Sequence, residues 1–327
     1  MAELSNRRRF TVVGGAGFIG SHFVDRLLSD RAITDVTVYD NFSSGREWHL
    51  AAHTGDPRLR VIEGDVVDMP LLTQALDGTD VVIHLASNPD IARAMVDPSI
   101  DFNQGTVLTH NVVEASRQGH VTQILYASGS GVYGDLGEFE PDEDYGPLIP
   151  ISTYGASKLA GEALISSYCY MFGVSGLCFR FGNVVGPRQT HGVGFDFTRS
   201  LLKDPDVLTV QGDGLQSKSY IHVHDVVDAV LTASKSNPRG FACYNVATGD
   251  YITVREIAEL ATEVIGGPAP EIRYTGGSRG WKGDVPVVRL DTARIRSLGW
   301  TNRRSSRQAL QASLESLVAD ARSGLLG

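Results

Sequence analysis

Tyr154 and Lys158 stand four residues apart in the run Tyr154-Gly-Ala-Ser-Lys158. On a helix, residues at that spacing share a face, so a phenol comes to lie beside an ammonium. A neighbouring cation favours phenolate and is expected to lower the Tyr154 pKa from its usual value of about 10. A phenol tuned in this way takes a proton from a hydroxyl while hydride leaves the same carbon. Upstream, Ser128-Gly129-Ser130-Gly131 offers hydroxyls to a substrate.

The pair gains weight from a second pattern. Gly14-Gly-Ala-Gly17-Phe18-Ile19-Gly20 directly follows the apolar run Phe10-Thr-Val-Val13. Gly14 permits a tight turn, Gly17 lets a phosphate approach the backbone, and Gly20 lets helix and strand pack closely. The helix start then offers free N–H groups and a favourable dipole to a pyrophosphate. Asp40 lies 20 residues past Gly20. A carboxylate there accepts hydrogen bonds from ribose hydroxyls and repels a 2′-phosphate, so NAD is favoured over NADP. Asp65 is placed to meet an adenine ring, and Leu85-Ala86-Ser87 to meet the cofactor at the sheet's carboxyl edge. A bound, positively charged nicotinamide also favours the Tyr154 phenolate.

These residues need a scaffold. Short apolar runs at Phe10–Val13, Val36–Tyr39, Leu59–Ile62, Val81–Leu85, Ile124–Ala127 and Ser175–Phe179 read as strands. Helical spacing is expected over Ile19–Leu28, near Val107–Arg117, and from about Tyr154 to Phe172, closed by Gly173. Strands without polar alternation, separated by helices, predict an α/β fold: a doubly wound parallel sheet of the Rossmann type. Beyond Gly182 the pattern loosens into shorter elements. A smaller C-terminal α/β lobe is expected there, with a capping box at Thr253 and Glu256 opening a helix to Ile265. The division is residues 1–182 for the dinucleotide domain, to which the chain returns near 219–247, and 183–327 for a substrate lobe. Gly192–Gly194 and Gly276–Gly280 read as loops over the substrate pocket.

Bulk properties set limits. With 327 residues and 42% hydrophobic content, the chain holds enough apolar material for a sizeable core. A net charge of -9 argues against a nucleic-acid or anionic-membrane surface. Arg7-Arg8-Arg9 before Phe10 mimics a secretory signal, but the apolar run breaks at once into glycines, and no membrane span is expected. The three cysteines, Cys169, Cys178 and Cys243, fit buried thiols in a reducing cytoplasm. His222 and His224 alternate beside Asp225, but without a third ligand at suitable spacing no metal is expected.

Together these motifs resemble the extended short-chain dehydrogenase/reductases, the NAD-dependent epimerase and dehydratase group that includes UDP-glucose 4-epimerase. The resemblance runs over nearly the whole chain. It extends to Arg180-Phe181-Gly182-Asn183 with Gly186-Pro187-Arg188, to Gly212-Asp-Gly214 leading into Tyr220-Ile-His, and to Gly283-Asp284-Val285. It implies NAD as cofactor, held by Gly14, Gly17, Phe18, Ile19, Gly20, Asp40, Asn41, Ser43, Ser44, Gly45, Asp65, Val66, Leu85, Ala86, Ser87, Tyr154, Lys158 and Phe181. For a UDP-sugar it implies contacts from Ser130, Tyr154, Asn183, Arg188 and Tyr220. Lys218 and Arg279 would hold the diphosphate, and Asp284 would help fix the nucleoside. A homodimer through the helices near Val107–Arg117 and Tyr154–Phe172 is implied as well.

The chain departs from the pattern at three positions. Gly129 stands where the family carries its catalytic Ser or Thr, leaving Ser128 or Ser130 to supply the hydroxyl. Gly105 replaces a frequent Asn, and Trp281 a frequent Arg. Dehydratases of the group carry an Asp-Glu pair where this chain has Ser130-Gly131, and UDP-glucuronate decarboxylases a Glu at the Gly131 position. Without them the expected reaction is 4-epimerisation of a UDP-sugar through a 4-keto intermediate. The sugar stays open among glucose/galactose, N-acetyl and glucuronate forms, with Arg188 a candidate partner for a C6 carboxylate. A net sugar-nucleotide oxidoreductase or dehydratase and a non-catalytic cofactor-binding regulator are the other readings.

Overall fold

The computed structural model describes residues 7–88, 91–236 and 240–326. In its first part, strands and helices alternate. They are β1 (Arg9–Val13), α1 (Phe18–Leu28), β2 (Asp35–Asp40), β3 (Leu59–Glu63), α2 (Met69–Leu76), β4 (Val81–His84), α3 (Leu108–Gln118), β5 (Gln123–Gly129), α4 (Thr153–Phe172) and β6 (Ser175–Phe181). There follow β7 (Asn183–Val185), α5 (Val193–Lys203), β8 (Val207–Val210), β9 (Ser217–Lys218), β10 (Tyr220–His222), α6 (Val223–Ser236) and β11 (Phe241–Val246). The chain ends with β12 (Ile252–Thr253), α7 (Val254–Ile265), β13 (Glu271–Tyr274), α8 (Ala293–Arg296) and α9 (Ser306–Arg322).

Seven strands form one sheet in the order β11-β6-β5-β4-β1-β2-β3, every pairing parallel. Both faces are covered except at the edge strand β3, where Arg60, Val61 and Glu63 stand exposed, and this burial is why the inner strands read as continuous apolar runs. Val12, Val38, Ile83 and Leu125 join a core with Phe23, Leu27, Val226 and Val230 of α1 and α6. Their neighbours Val13, Tyr39, Val82 and Ile124 face Leu72, Val112 and Ile165 of α2, α3 and α4. Strand order reverses between β1 and β4, and a crevice opens there at the carboxyl ends.

The lobe has its own core, in which Phe197, Leu201, Ile257, Leu260, Leu310 and Leu314 of α5, α7 and α9 pack on Leu208 and Val210. The expected capping box at Thr253 and Glu256 is present, and a second one, at Ser305 and Gln308, opens α9. β11 crosses back from the lobe side to extend the large sheet beside β6. Two expectations need correction. His222 and His224 do not alternate along a strand, because the chain turns into α6 at Val223, and His224 N–H donates to His222 Nδ1 at 3.2 Å. Residues 193 and 194 are not loop but the first turn of α5, with Gly192 as its N-cap. Among the described residues, no helix is long and apolar enough to cross a membrane, and no group of three or more His, Cys, Asp or Glu side chains could hold a metal.

Candidate active site

One cleft of 1140 Å³ runs from the crevice between β1 and β4 into the lobe. At its dinucleotide end, Gly14 adopts φ +84°, and a Cβ there would lie 2.9 Å from Ala86 N. A Cβ on Gly20 would meet Gly14 O at 2.1 Å, so α1 lies directly on the turn. The N-terminus of α1 at Gly17 has no side-chain cap and no acidic residue in its first turn. An uncapped helix start behind a glycine cradle fits a pyrophosphate.

Asp40 is buried at the end of β2, where its Oδ2 accepts from Ala16 N at 2.9 Å and its Oδ1 from Phe42 N at 2.8 Å. Burial raises its pKa, against the opposing pull of the Phe42, Ala16 and Gly17 amides. With three amides donating, one of the four acceptor sites of the carboxylate remains for a ribose hydroxyl. Asn41 donates to Asp65 Oδ2 at 2.9 Å, which ties the ends of β2 and β3 together. Phe18, Ile19, Ser43, Ser44, Asp65, Val66, Leu85, Ala86, Ser87 and Phe181 all line the cleft. Gly45 does not: it packs behind Asp40, where an added Cβ would lie 2.9 Å from Asp40 Oδ1.

Tyr154 and Lys158 project from the first turns of α4, whose N-cap Ser152 accepts from Gly155 N. Lys158 is buried, donates to Ala127 O at 2.9 Å, and sits 5.4 Å above the Tyr154 ring centre. Burial lowers its pKa to about 8. The expected lowering of Tyr154 is absent from the protein alone. Although the ring is partly open to the cleft, the protein around its hydroxyl pushes the pKa up to about 12, opposed by a hydrogen bond to the Ser87 side chain. Loss of solvent around the phenolate is the largest influence, and the neighbouring ammonium does not offset it by any resolved amount. A residue that carries no motif lies beside the pair. Asp101 is buried, accepts from Asn88 Nδ2 at 2.9 Å and Thr153 Oγ1 at 2.7 Å, and raises the pKa of both Tyr154 and Lys158.

The two serine candidates part company. Ser128 is buried, and its hydroxyl donates to Glu162 Oε1 at 2.6 Å. Glu162 in turn holds Arg180 through bonds of 3.0, 3.3 and 2.7 Å. Ser130 lines the cleft as Ser128 does but is only half-buried, and a Cβ added at Gly129 would meet nothing within 4 Å. At Gly105 a Cβ would lie 2.6 Å from Ser157 Oγ, so the turn carrying it packs tightly on α4.

In the lobe half, Asn183, Lys218, Tyr220, Asp284 and the departing Trp281 line the cleft, joined by residues that carried no signal in the sequence: Phe197, Thr209, Gln211 and Gln216. Lys218 and Asp284 are paired with each other at 2.5 Å. Two expected substrate contacts are turned elsewhere. Arg188 takes φ +63° and reaches the dinucleotide half, where it bonds Asp25 and donates to His49 O at 2.9 Å. Arg279 lies outside the cleft lining and binds Asp135 and the Asp284 carbonyl. Lys158 and Lys218 are the lysines of the lining, which contains no arginine among the described residues.

Residues 10–247 match the NAD dependent epimerase/dehydratase family. The chain belongs to that family. A UDP-glucose 4-epimerase of Mycolicibacterium smegmatis is 33% identical over 300 residues, covering 89% of this chain and 93% of the relative. A solved UDP-galactose 4-epimerase aligns at TM-score 0.85 and 38% identity, covering 95% of this chain and 99% of that one. A dTDP-glucose 4,6-dehydratase from Streptomyces venezuelae, the DesIV double mutant solved with NAD bound, aligns at TM-score 0.88 and 28% identity over 97% and 98%. This member of the epimerase/dehydratase family is thus an NAD-dependent enzyme on a Rossmann-type sheet. The residues around Gly14, Gly20 and Asp40 suit the cofactor that the family uses.

Proposed function

We propose that the chain is an NAD-dependent 4-epimerase of a UDP-sugar. The observation that carries the reading is the wall around Tyr154. Ser128, Gly129, Ser130 and Gly131 line the cleft beside it and supply no carboxyl group. Removal of water from the sugar needs an additional acid and base there, whereas epimerisation needs Tyr154 alone. Bound NAD would supply a reversible hydride acceptor for C4. Tyr154 takes the O4 proton as the keto group forms and returns it to O4 once the sugar has turned its other face to the nicotinamide site. Lys158 supplies positive charge beside the phenol and would bond a ribose hydroxyl. Asn183, Tyr220 and Lys218 hold the nucleotide end while the sugar turns.

The gluco/galacto pair is favoured over glucuronate, because Arg188 is engaged with Asp25 and leaves a C6 carboxylate without that partner. We also infer a homodimer built on α3 and α4, since Tyr170, Met171 and Phe172 stand exposed at the end of α4. Sedimentation velocity tests the dimer; a monomer at micromolar concentration removes it. Buried, unbridged Cys169, Cys178 and Cys243 support a cytoplasmic setting.

The deciding experiment incubates the purified protein with a panel of UDP-sugars, without added cofactor, and resolves the products by NMR. Interconversion at C4 without accumulation of NADH supports the reading. A 4-keto-6-deoxy product would replace it by a dehydratase, and steady NADH formation by a net oxidoreductase.

A further inference from the structure

The ammonium of Lys158 lies over two phenol rings at once. Its Nζ stands 5.4 Å from the ring centre of Tyr154 and 5.2 Å from that of Tyr126. Tyr154 carries the proton in the proposed reaction, whereas Tyr126 has no part in it. Tyr126 is buried on β5 and does not line the cleft, although its neighbour Ala127 and Lys158 both do. It can reach the chemistry only through the lysine.

The ring is firmly placed. It belongs to the core layer that β4 and β5 share with α2, α3 and α4. His84, its register partner on β4, lies against it with ring centres 5.3 Å apart and planes inclined by 32°. On α4, a Cβ at Gly161 would lie 2.4 Å from Tyr126 Oη, so a glycine there makes room for the phenol. The next residue of β5, Ala127, accepts from Lys158 Nζ through its carbonyl at 2.9 Å. One dipeptide thus gives Lys158 both a π face and a carbonyl oxygen.

Charge at this position is costly. The ammonium is faced by Tyr126 from β5, His84 from β4, Tyr154 from α4 and Asp101 from the turn leading into α3. Burial, with a smaller push from Lys158, holds the His84 pKa down at about 3, so that imidazole is neutral. Asp101 favours the charged lysine, yet burial still lowers the Lys158 pKa to about 8. The electron-rich face of a ring attracts a cation while staying neutral itself, and the attraction grows where water is excluded.

We propose that Tyr126 is a positioning residue for the reaction: its ring seats the Lys158 ammonium and holds that charge beside Tyr154. The proposal rests on the epimerase reading for its substrate, but not for its geometry. The ring is the operative part, so Tyr126→Phe keeps the effect and Tyr126→Leu removes it.

A double-mutant cycle tests the contact without any substrate. It pairs Tyr126→Leu with Lys158→Met in urea unfolding of the cofactor-free protein at pH 6 and pH 10. At pH 6 the folded protein carries a charged Lys158, and the two substitutions should be coupled by roughly ten- to thirtyfold in the unfolding constant, the size of a desolvated cation–π contact. At pH 10, above the Lys158 pKa of about 8, the coupling should vanish. Loss of packing alone has no such pH dependence, so coupling that is absent at pH 6, or equal at both pH values, overturns the proposal. The same cycle with Tyr126→Phe should give less than a few-fold coupling; full coupling there would make the hydroxyl the partner and overturn it too. Tyr126→Met, whose flexible chain refills the space, takes the place of Tyr126→Leu if the latter does not fold. In the NAD-loaded enzyme, the alkaline limb of kcat/KM, set by loss of the Lys158 proton, should move down by about one pH unit in Tyr126→Leu and stay in place in Tyr126→Phe, with KM unchanged in both. An unmoved limb in an active Tyr126→Leu enzyme removes Tyr126 from the mechanism. Should the wild type turn over no UDP-sugar, the epimerase reading falls, while the unfolding cycle still decides on Tyr126.

Discussion

Lys218 Nζ lies 2.5 Å from Asp284 Oδ1, inside the lobe half of the cleft. If the diphosphate of the proposed UDP-sugar binds there, it meets a lysine whose charge is already matched. Asp284→Asn should therefore lower KM for the UDP-sugar a few-fold, and Lys218→Ala should raise it about tenfold, with kcat little altered in both. Steady-state kinetics on the two variants decide it. A rise in KM for Asp284→Asn would show that the carboxylate itself holds the nucleoside.

Tyr154→Phe should lose roughly 10²- to 10⁴-fold in kcat, the range for a lost general acid–base, while retaining NAD. Product NMR beside the absorbance of the bound cofactor separates the two effects. Substantial turnover in this variant would remove the phenol from the chemistry.

Lys158 couples function to stability through pH. Its pKa in the folded protein is about 8, below the 10.5 of an unperturbed lysine. Below pH 8 both states carry the proton, and the folded state bears the full cost of a buried ammonium. From about pH 8 to 10.5 the unfolded chain binds more protons, so this contribution to stability rises with pH. Lys158→Met should thus stabilise the cofactor-free protein at pH 7 by roughly 1–3 kcal/mol, a gain that shrinks towards pH 10, while abolishing activity. Urea unfolding at pH 7 and pH 10 measures it.

Glu162 and Arg180 are both buried and joined by three hydrogen bonds, two of them shared by Arg180 Nε. Glu162→Ala strands the guanidinium and should cost about 3–5 kcal/mol of stability. It also releases Ser128, so loss of stability with near-normal residual kcat is the expected outcome in urea unfolding and initial-rate assays.

Arg188→Ala should leave KM for the UDP-sugar within about twofold, because the side chain braces Asp25 and His49 rather than the substrate. A large KM effect, with Tm unchanged, would contradict that placement.

The parts that could be read beforehand are those with short-range causes. The glycine turn, the uncapped start of α1 and the four-residue step from Tyr154 to Lys158 follow from local backbone geometry, and the apolar strands from burial on both faces. What escaped depends on partners far along the chain. Ser128 looks as available as Ser130 until Glu162 and Arg180 are brought behind it. Arg188 follows a substrate-contact pattern, yet a left-handed backbone angle turns it towards Asp25, 163 residues earlier. Asp101 sits in no motif, and its meaning appears only when Asn88 and Thr153 meet on it. The phenol's acidity was misjudged because proximity of a cation is visible in spacing, whereas loss of solvent is not.

The late arrival of β11 beside β6 carries a practical consequence. Every residue of β6 is shielded in the whole protein, and β11 alone covers its outer edge. A fragment stopping at residue 182 would keep the cofactor turn and the Tyr154 helix but leave a bare apolar rim of unpaired amides and carbonyls. Such rims recruit strands from other molecules. The dinucleotide half is consequently not a module to be expressed or transplanted by cutting after Gly182; its last structural stave is supplied only after the chain has first built part of the opposing lobe.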